Sequence, residues 1–403
     1  MLTLQRTDDA TIVSVSTSDK SIEDLLSKEW LLTNNRGGYA SSTIVGCNTR
    51  RYHGLLIGSL NPLANRIMTL ANCLEMVILK EGSSKKVFNL STFEFNGKFA
   101  PEGFRYIKRF RQDAGAHFDY QLDKIELTKS IYLLHDADTV ALVYDFTSVG
   151  TPNLQKMCKT GTREEPIEFV LRPFIGLRDF HALQKSYAPL CSAWVGDGLS
   201  IRHDVPDSCE LFLRCSSMSF KKDLQWWFNF VYRNDRERGQ DFTEDLWSPG
   251  FFKCRLDSSA KIVFWATLRA PVLQRAHISQ TDDETKTLGN CYKPESAVGG
   301  LDSVFEAVRN DLHRHQESII RKAKNVKRDT QHAIRDMRYE ILCLAADQFI
   351  AKRQIDKVSG DNHRVTVLAG FPWFADWGRD AFVSLPGLLL STGRFDEARS
   401  VLV

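Results

Sequence analysis

The chain lacks most of the short motifs that give a function away. Its nine cysteines (Cys47, Cys73, Cys158, Cys191, Cys209, Cys215, Cys254, Cys291 and Cys343) are odd in number, scattered, and never form a CxxC pair. That pattern excludes a zinc ribbon or a disulfide framework and fits reduced, buried thiols in a cytosolic protein. There is no Walker loop, GxGxxG, HExxH or GxSxG, so nucleotide, zincin and hydrolase-elbow chemistry find no foothold. His313 and His315 are two apart in a helical stretch and face different ways, which makes them poor joint metal ligands. No metal or organic cofactor is therefore expected. No apolar run approaches the length of a membrane-spanning helix, and the opening Met1-Leu2-Thr3-Leu4-Gln5-Arg6 has no signal-peptide core. The expected location is the cytoplasm. Neither charge dominates: 53 basic and 50 acidic residues leave a net +3. That balance gives no reason to expect nucleic acid or an acidic membrane as a partner.

What is present is an ordinary globular composition, 43% hydrophobic and 11% aromatic, in a length that suggests two domains. The first ~290 residues read as strands. Val87–Phe95, Ile125–Leu134, Val140–Phe146, Glu168–Phe174 and Ile262–Ala266 carry alternating or β-branched apolar patterns. Asn96-Gly97 and Asp113-Ala114-Gly115 break them. Many short strands at regular spacing predict an antiparallel β-sandwich.

Near Ala297 the style changes. Leu301 to Lys327 is charged and free of proline, and reads as a linker helix with a solvated face. Its basic end (Arg321, Lys322, Lys324, Lys327, Arg328) is flanked by acidic residues and has no interleaved aromatics. A second helix is expected from about Thr330 to Arg353, with Ile334, Met337, Ile341 and Leu344 on one face and Leu342, Ala346, Phe349 and Ile350 on another. A third is expected from Pro372 to about Thr392, kinked at Pro386 and stopped at Gly393. Arg394 to Val403 begins another. The expected domains are a β-sandwich over 1–296, a linker helix over 297–328 and a helical region over 329–403.

The densest chemistry lies in Phe371-Pro372-Trp373-Phe374-Ala375-Asp376-Trp377-Gly378-Arg379-Asp380. Two indoles offer flat faces for pyranose rings, and two carboxylates and a guanidinium can fix hydroxyls. On a helix from Pro372, Trp373 and Trp377 would be i,i+4 neighbours, as would Asp376 and Asp380. The plainer alternative is core tryptophans and an Asp376–Arg379 pair. Carboxylates on adjacent turns, roughly 5–6 Å apart, cannot flank a scissile bond as an inverting pair does at about 6.5–9.5 Å. Hydroxyl binding suits them better than proton transfer. A second dense segment runs from Glu29 to Leu56. In it Asn35 and Arg36 sit at a Gly-Gly turn, and Arg50, Arg51, Tyr52 and His53 form a candidate rim; a turn held by buried hydrogen bonds is the alternative. A third, Arg172-Pro173-Phe174 with Arg178-Asp179-Phe180-His181, reads as a buried ion pair with a capping histidine.

These segments, with Phe242–Phe252 and the continuation Leu385-Pro386-Gly387-Leu388 and Thr392-Gly393-Arg394, closely resemble the prokaryotic-type glycogen debranching enzymes. The resemblance runs through nearly all of the chain, with four separated motifs in order. It implies an N-terminal β-sandwich and the first helices of an (α/α)6 barrel as in glucoamylase-like enzymes. It implies amylo-α-1,6-glucosidase activity on glycogen or a branched α-glucan. It gives Arg379 and Asp380 the role of holding the glucose at the non-reducing end. Trp373, Asp376 and Trp377 join them by chemistry alone. The 75 residues from 329 to 403 are too few for a twelve-helix barrel. The resemblance thus places the general acid and base beyond residue 403 and leaves the catalytic residues of this chain unassigned. It expects a second polypeptide or a fuller reading frame to complete the barrel. The competing expectations are a non-catalytic or defective glucan-binding fragment, whose open helix would expose Phe371, Phe374, Leu388 and Leu389, and a related α-glucosidase, trehalase or glycoside phosphorylase.

Overall fold

A computed structural model describes residues 2–6, 11–18, 20–81, 84–123, 125–148, 167–256, 258–270, 301–326, 337–354 and 363–402. Two large antiparallel sheets dominate it. The ten-stranded sheet runs, in spatial order, Leu2–Arg6, Thr11–Ser16, Ile107–Gln112, Ala116–Leu122, Ile125–Leu133, Thr139–Ser148, Ala260–Arg269, Glu210–Arg214, Gly198–His203 and Leu190–Val195. The eight-stranded sheet runs Ser219–Val231, Thr243–Leu256, Ile167–Asp179, Ala64–Glu81, Gly54–Asn61, Tyr39–Thr43 and Glu29–Thr33, with Ser84–Asn89 also paired to Ala64–Glu81. The predicted strands fall inside these elements. The one over Val87–Phe95 is instead two strands, Ser84–Asn89 and Thr92–Phe95, because at Ser91 the side chain replaces the backbone in the ladder, its Oγ accepting the Glu75 N–H at 2.9 Å.

The sheets pack face to face because alternate residues of each strand are apolar. Phe118, Leu127, Leu142 and Phe264 from one sheet meet Leu56, Leu70, Phe169 and Phe252 from the other in a single cluster. One ionic group crosses this core. Lys129 Nζ lies 2.5 Å from Glu75 Oε1, which also accepts from Tyr144 Oη at 2.8 Å, while Ser91 Oγ donates to Oε2 at 2.8 Å. The Asn96-Gly97 break is a tight turn with both residues at positive φ, +46° and +78°. None of the seven described cysteines forms a disulfide; Cys158 and Cys291 lie outside the described residues.

The helices are α1 (Ile22–Leu26), α2 (Arg233–Glu237), α3 (Leu301–Val326), α4 (Met337–Asp347), α5 (Gly378–Leu385) and α6 (Phe395–Leu402). α3 is where the linker helix was expected, but one face of it is core. Val304, Phe305, Val308 and Leu312 pack on Tyr132, Val143, Val263 and Trp265, on the outer face of the ten-stranded sheet. Of its basic end, Lys322 pairs with Glu397 at 2.8 Å and Lys324 with Glu340 at 3.0 Å; Lys327 and Arg328 lie outside the described residues.

Two helix expectations need correcting. The second helix was expected to reach Arg353, with Ile334, which lies outside the described residues, near its start. It ends at Asp347 and turns into a hairpin of Ile350–Gln354 with His363–Val367. The apolar residues there serve two separate clusters with period two. Ile350 and Val367 pack with Leu385 and Leu389, while Ala351 packs with Leu63 and Leu368. The third helix was expected from Pro372 but begins at Gly378. The carbonyls its first turn would need are already taken: Arg66 Nη1 donates to Pro372 O at 3.0 Å and Phe374 O at 3.2 Å. The segment is also closed by Ala369 N to Ala375 O at 3.0 Å and a bridge between Leu368 and Asp376. Further on, Pro386 opens a π-helical turn, Pro386–Leu390. Gly393, at φ +76°, ends it as expected.

Candidate functional site

The three motif-rich segments, hundreds of residues apart, meet along one seam. Tyr39 Oη donates to the Tyr52 carbonyl at 3.0 Å, fixing the turn that carries Arg50 to His53. Arg178, buried in the strand Ile167–Asp179, makes a double hydrogen bond to Glu244, which also accepts from Tyr232 Oη. Its Nη2 donates to Arg51 O at 2.9 Å and its Nη1 to Phe180 O at 3.1 Å. The ion-pair reading of that segment therefore holds. The pair also joins two loops, since one buried guanidinium clamps the Arg51 turn to the Phe180-His181 corner. Burial works against its charge, but Glu244 outweighs burial and raises the pKa of Arg178 above the usual arginine range.

Tyr52 completes the junction. Its Oη lies 3.1 Å from His181 Nδ1, and its ring meets Trp373 edge-on at 6.4 Å. Trp373 is half-buried here, with the Arg50 guanidinium 5.6 Å and the Arg238 guanidinium 5.3 Å from its ring centre. Arg51 is spent on the scaffold: its Nη1 reaches His181 O at 2.9 Å, and its backbone N–H reaches Asp235 Oδ2 at 2.6 Å.

The other expected rim residues separate from this junction. His53 is only 2% exposed, accepts from Thr49 N–H at 3.1 Å through Nδ1, and faces Glu29 at 3.5 Å. It is the buried-turn alternative, not a rim residue. Burial raises the pKa of Glu29, but hydrogen bonds and charge from His53 and Arg50 outweigh it and hold the carboxyl at about 2. Asn35, at φ +61°, gives its carbonyl to Lys352 N at 2.7 Å. Arg36 lies 3.7 Å from Asp138. Asn35 braces the 350–367 hairpin while Arg36 faces Asp138, and no described contact joins either to the Tyr52 junction.

Within the Trp-Asp segment the roles also divide. Trp373 and Trp377 are not helical neighbours, since only Gly378 onward is helix. Asp376 is tied down, with Oδ2 accepting from Thr366 Oγ1 at 3.2 Å and 3.5 Å from Arg353; no Asp376–Arg379 pair forms among the described contacts. Trp377 is 52% exposed and leans on Phe374 at 5.6 Å. It stands at the N-cap of α5 without a side-chain cap bond, and Arg379 and Asp380 follow in the first turn. Arg379 is exposed. Asp380 Oδ2 is buried and meets no hydrogen-bond donor among the described residues. The open end of α5 thus gathers an apolar ring, a guanidinium, an unpartnered carboxylate oxygen and uncapped backbone N–H groups.

One residue that holds this end was missed in the sequence. Arg66 is 2% exposed, with its guanidinium 5.5 Å from the Phe180 ring centre and 5.2 Å from that of Phe371. Burial lowers its pKa, against the opposing pull of Tyr39 and Asp376. The available signal was an arginine directly ahead of the mostly apolar run Ile67-Met68-Thr69-Leu70-Ala71.

Among the described residues no group of three or more His, Cys, Asp or Glu is placed to hold a metal, and no helix is long and apolar enough to cross a membrane.

The chain matches two protein families. One, described as glycogen debranching enzyme N terminal, matches residues 28–263; the other, amylo-alpha-1,6-glucosidase, matches residues 344–403. The glycogen debranching enzyme of Saccharomyces cerevisiae is 36% identical over 64 residues, which are 15% of this chain and 4% of the yeast protein. Among solved structures, a bacterial glucoamylase complexed with acarbose aligns with a TM-score of 0.42 at 10% identity, over 94% of this chain and 48% of the glucoamylase. A family GH92 alpha-mannosidase from Bacteroides thetaiotaomicron aligns with a TM-score of 0.33 at 9% identity, over 89% of this chain and 42% of the mannosidase. The chain therefore spans less than half the length of each of these proteins. Because the first family match alone takes in more than half of the residues, the chain belongs to the glycogen debranching enzyme family.

Proposed function

We propose that this chain is part of a glucan-processing glycosidase and holds a terminal glucose of a branched α-glucan at the open end of α5. The reaction class is hydrolysis of α-1,6-linked glucose at branch points. The observation that carries the reading is the unpartnered, buried Asp380 Oδ2 in the first turn of α5, with the half-exposed Trp377 at the N-cap and the exposed Arg379 in the same turn. A glucose ring stacked on the indole would present hydroxyls to the carboxylate and the guanidinium, which satisfies the orphaned oxygen and uses the apolar face. Trp373 and Asp376 then act in the scaffold: Trp373 locks the segment against Tyr52, and Asp376 ties it to Thr366 and Arg353. Asp380 is assigned binding and not proton transfer. The division into a sandwich over 1–296, a linker over 297–328 and a glucosidase-type helical region over 329–403 belongs to the same proposal.

The test is glucose release from a phosphorylase limit dextrin, with and without a separately expressed remainder of the barrel, run beside calorimetric titration with the same glucan. Release that is lost in Asp380→Asn supports hydrolysis. Binding without release, weakened in Trp377→Ala, supports a glucan-binding role without chemistry. Absence of both overturns the reading.

A further inference from the structure

On the outer face of the ten-stranded sheet, away from the Trp-Asp segment, a hydroxyl, an imidazole and a carboxylate stand in series. His117 and Ser130 are directly opposite each other on adjacent antiparallel strands. His117 Nδ1 lies 2.8 Å from Ser130 Oγ, and its Nε2 lies 2.8 Å from Asp113 Oδ1. The Asp113 carboxylate also accepts the Gly115 N–H at 2.9 Å, which fixes it in the turn leading into the strand. Burial raises the pKa of Asp113, but the hydrogen bond and charge of His117, helped by Gly115 N–H and His313, hold it at about 2. The carboxylate is therefore ionised and can only accept. Nε2 thus donates to Asp113, and in the neutral imidazole the Nδ1 lone pair faces the serine hydroxyl. All three side chains are buried or nearly so, and all three line a cavity of about 600 Å³ between the sheet and α3, together with Arg111, Tyr132 and His313.

We propose that Ser130 is a nucleophile, activated by His117 and oriented through it by Asp113, that cleaves small carboxylic esters in this cavity. The order of roles is that of a serine hydrolase with the two ring nitrogens exchanged, and such relays are recognised by geometry and not by chain position. Ser130 Oγ bonds to the ester carbonyl carbon as His117 Nδ1 takes the hydroxyl proton. The ester C–O bond then breaks, and the alcohol leaves with that proton. Water attacks the acyl-serine by the same route, which releases the carboxylic acid and restores the hydroxyl. Tyr132 lines the same cavity, and its O–H is assigned as the donor to the developing oxyanion; Arg111, also in the lining, is held by Asp119 through Nε and Nη2 at 2.9 and 2.7 Å.

The site shares no residue with the proposed glucan site, so the two stand or fall separately. The full chain is incubated with a fluorophosphonate probe and, in parallel, with 4-nitrophenyl acetate. The expected result is a covalent adduct on the peptide containing Ser130, with nitrophenolate release that drops roughly 100-fold or more in Ser130→Ala and His117→Gln. Asp113→Asn lowers the rate by turning the imidazole to the wrong tautomer. An unchanged melting profile of Ser130→Ala shows that the loss is not unfolding. No adduct on Ser130 of the folded wild-type protein overturns the proposal without any variant, and so does a Ser130→Ala protein that hydrolyses the ester at the wild-type rate.

Discussion

Arg66 shows how one side chain can set a distant segment. Its Nη1 holds two carbonyls of the Pro372–Phe374 turn, its guanidinium lies over the Phe180 and Phe371 rings, and Nε and Nη2 have no hydrogen-bond partner among the described residues. Arg66→Ala leaves Pro372 O and Phe374 O without that donor, so a stability loss of about 2 kcal/mol is expected by urea denaturation. If the turn orients Trp377, glucan affinity should fall in the same variant. A Trp377→Ala variant should do the opposite: the exposed ring contributes little to folding, so stability holds while glucan affinity drops about tenfold. Calorimetric titration and melting of both variants separate the two roles. Glu29 gives a pH signature. Its carboxyl is held at about 2 in the folded chain against an ordinary 4.5. A depressed carboxylate contributes stability that is fully present above its unfolded value, so this contribution is intact above about pH 4.5 and is lost as pH falls towards 2. Denaturation midpoints at pH 6 and pH 3 should converge in Glu29→Gln relative to wild type; an unaltered pH dependence would remove Glu29 from the account.

At the scale of elements, strands were far more legible than helices. Ile125–Leu133 and Thr139–Ser148 were visible because a buried strand writes its period of two into a continuous stretch. The helix expected up to Arg353 was misread because Phe349, Ile350 and Ala351 look apolar in either geometry, and only their two separate clusters decide for a strand. The helix expected at Pro372 failed for a different reason. Nothing near that proline in sequence shows that Arg66, over 300 residues earlier, competes for its carbonyls. Gly393, by contrast, was legible as a stop. A Cβ there would stand 2.6 Å from the Lys322 carbonyl oxygen, and φ is +76°. Gly393→Ala should therefore cost at least about 1 kcal/mol and loosen α6 from α3, read as faster amide exchange in Phe395–Leu402.

At the scale of the whole molecule, the two sheets enclose an ion pair that no strand pattern requires. Removing one partner, as in Lys129→Met, leaves Glu75 buried with only hydroxyl donors, and a loss of about 3–5 kcal/mol is expected. The double variant with Glu75→Gln should recover part of it; equal losses in both would show that the pair is not coupled. The exposed apolar side chains also have an uneven distribution. The expectation that Phe371, Phe374, Leu388 and Leu389 would be open is met for Phe374 alone: Leu389 is buried, and Trp377, Phe382, Val383 and Phe395 are exposed instead. The sequence by itself determined the strand-rich first part, the family, the turns at Asn96-Gly97 and Gly393, and the concentration of aromatic and charged side chains around Trp377, because local periodicity, turn chemistry and residue type are properties of short segments. Tertiary structure alone decided which members of that segment face outward, since that depends on Arg66, Tyr52 and Arg353 arriving from elsewhere in the chain. It likewise decided that His53 is buried, and that Asp113, His117 and Ser130 fall into line, because strand register and close packing are set between segments and not within them.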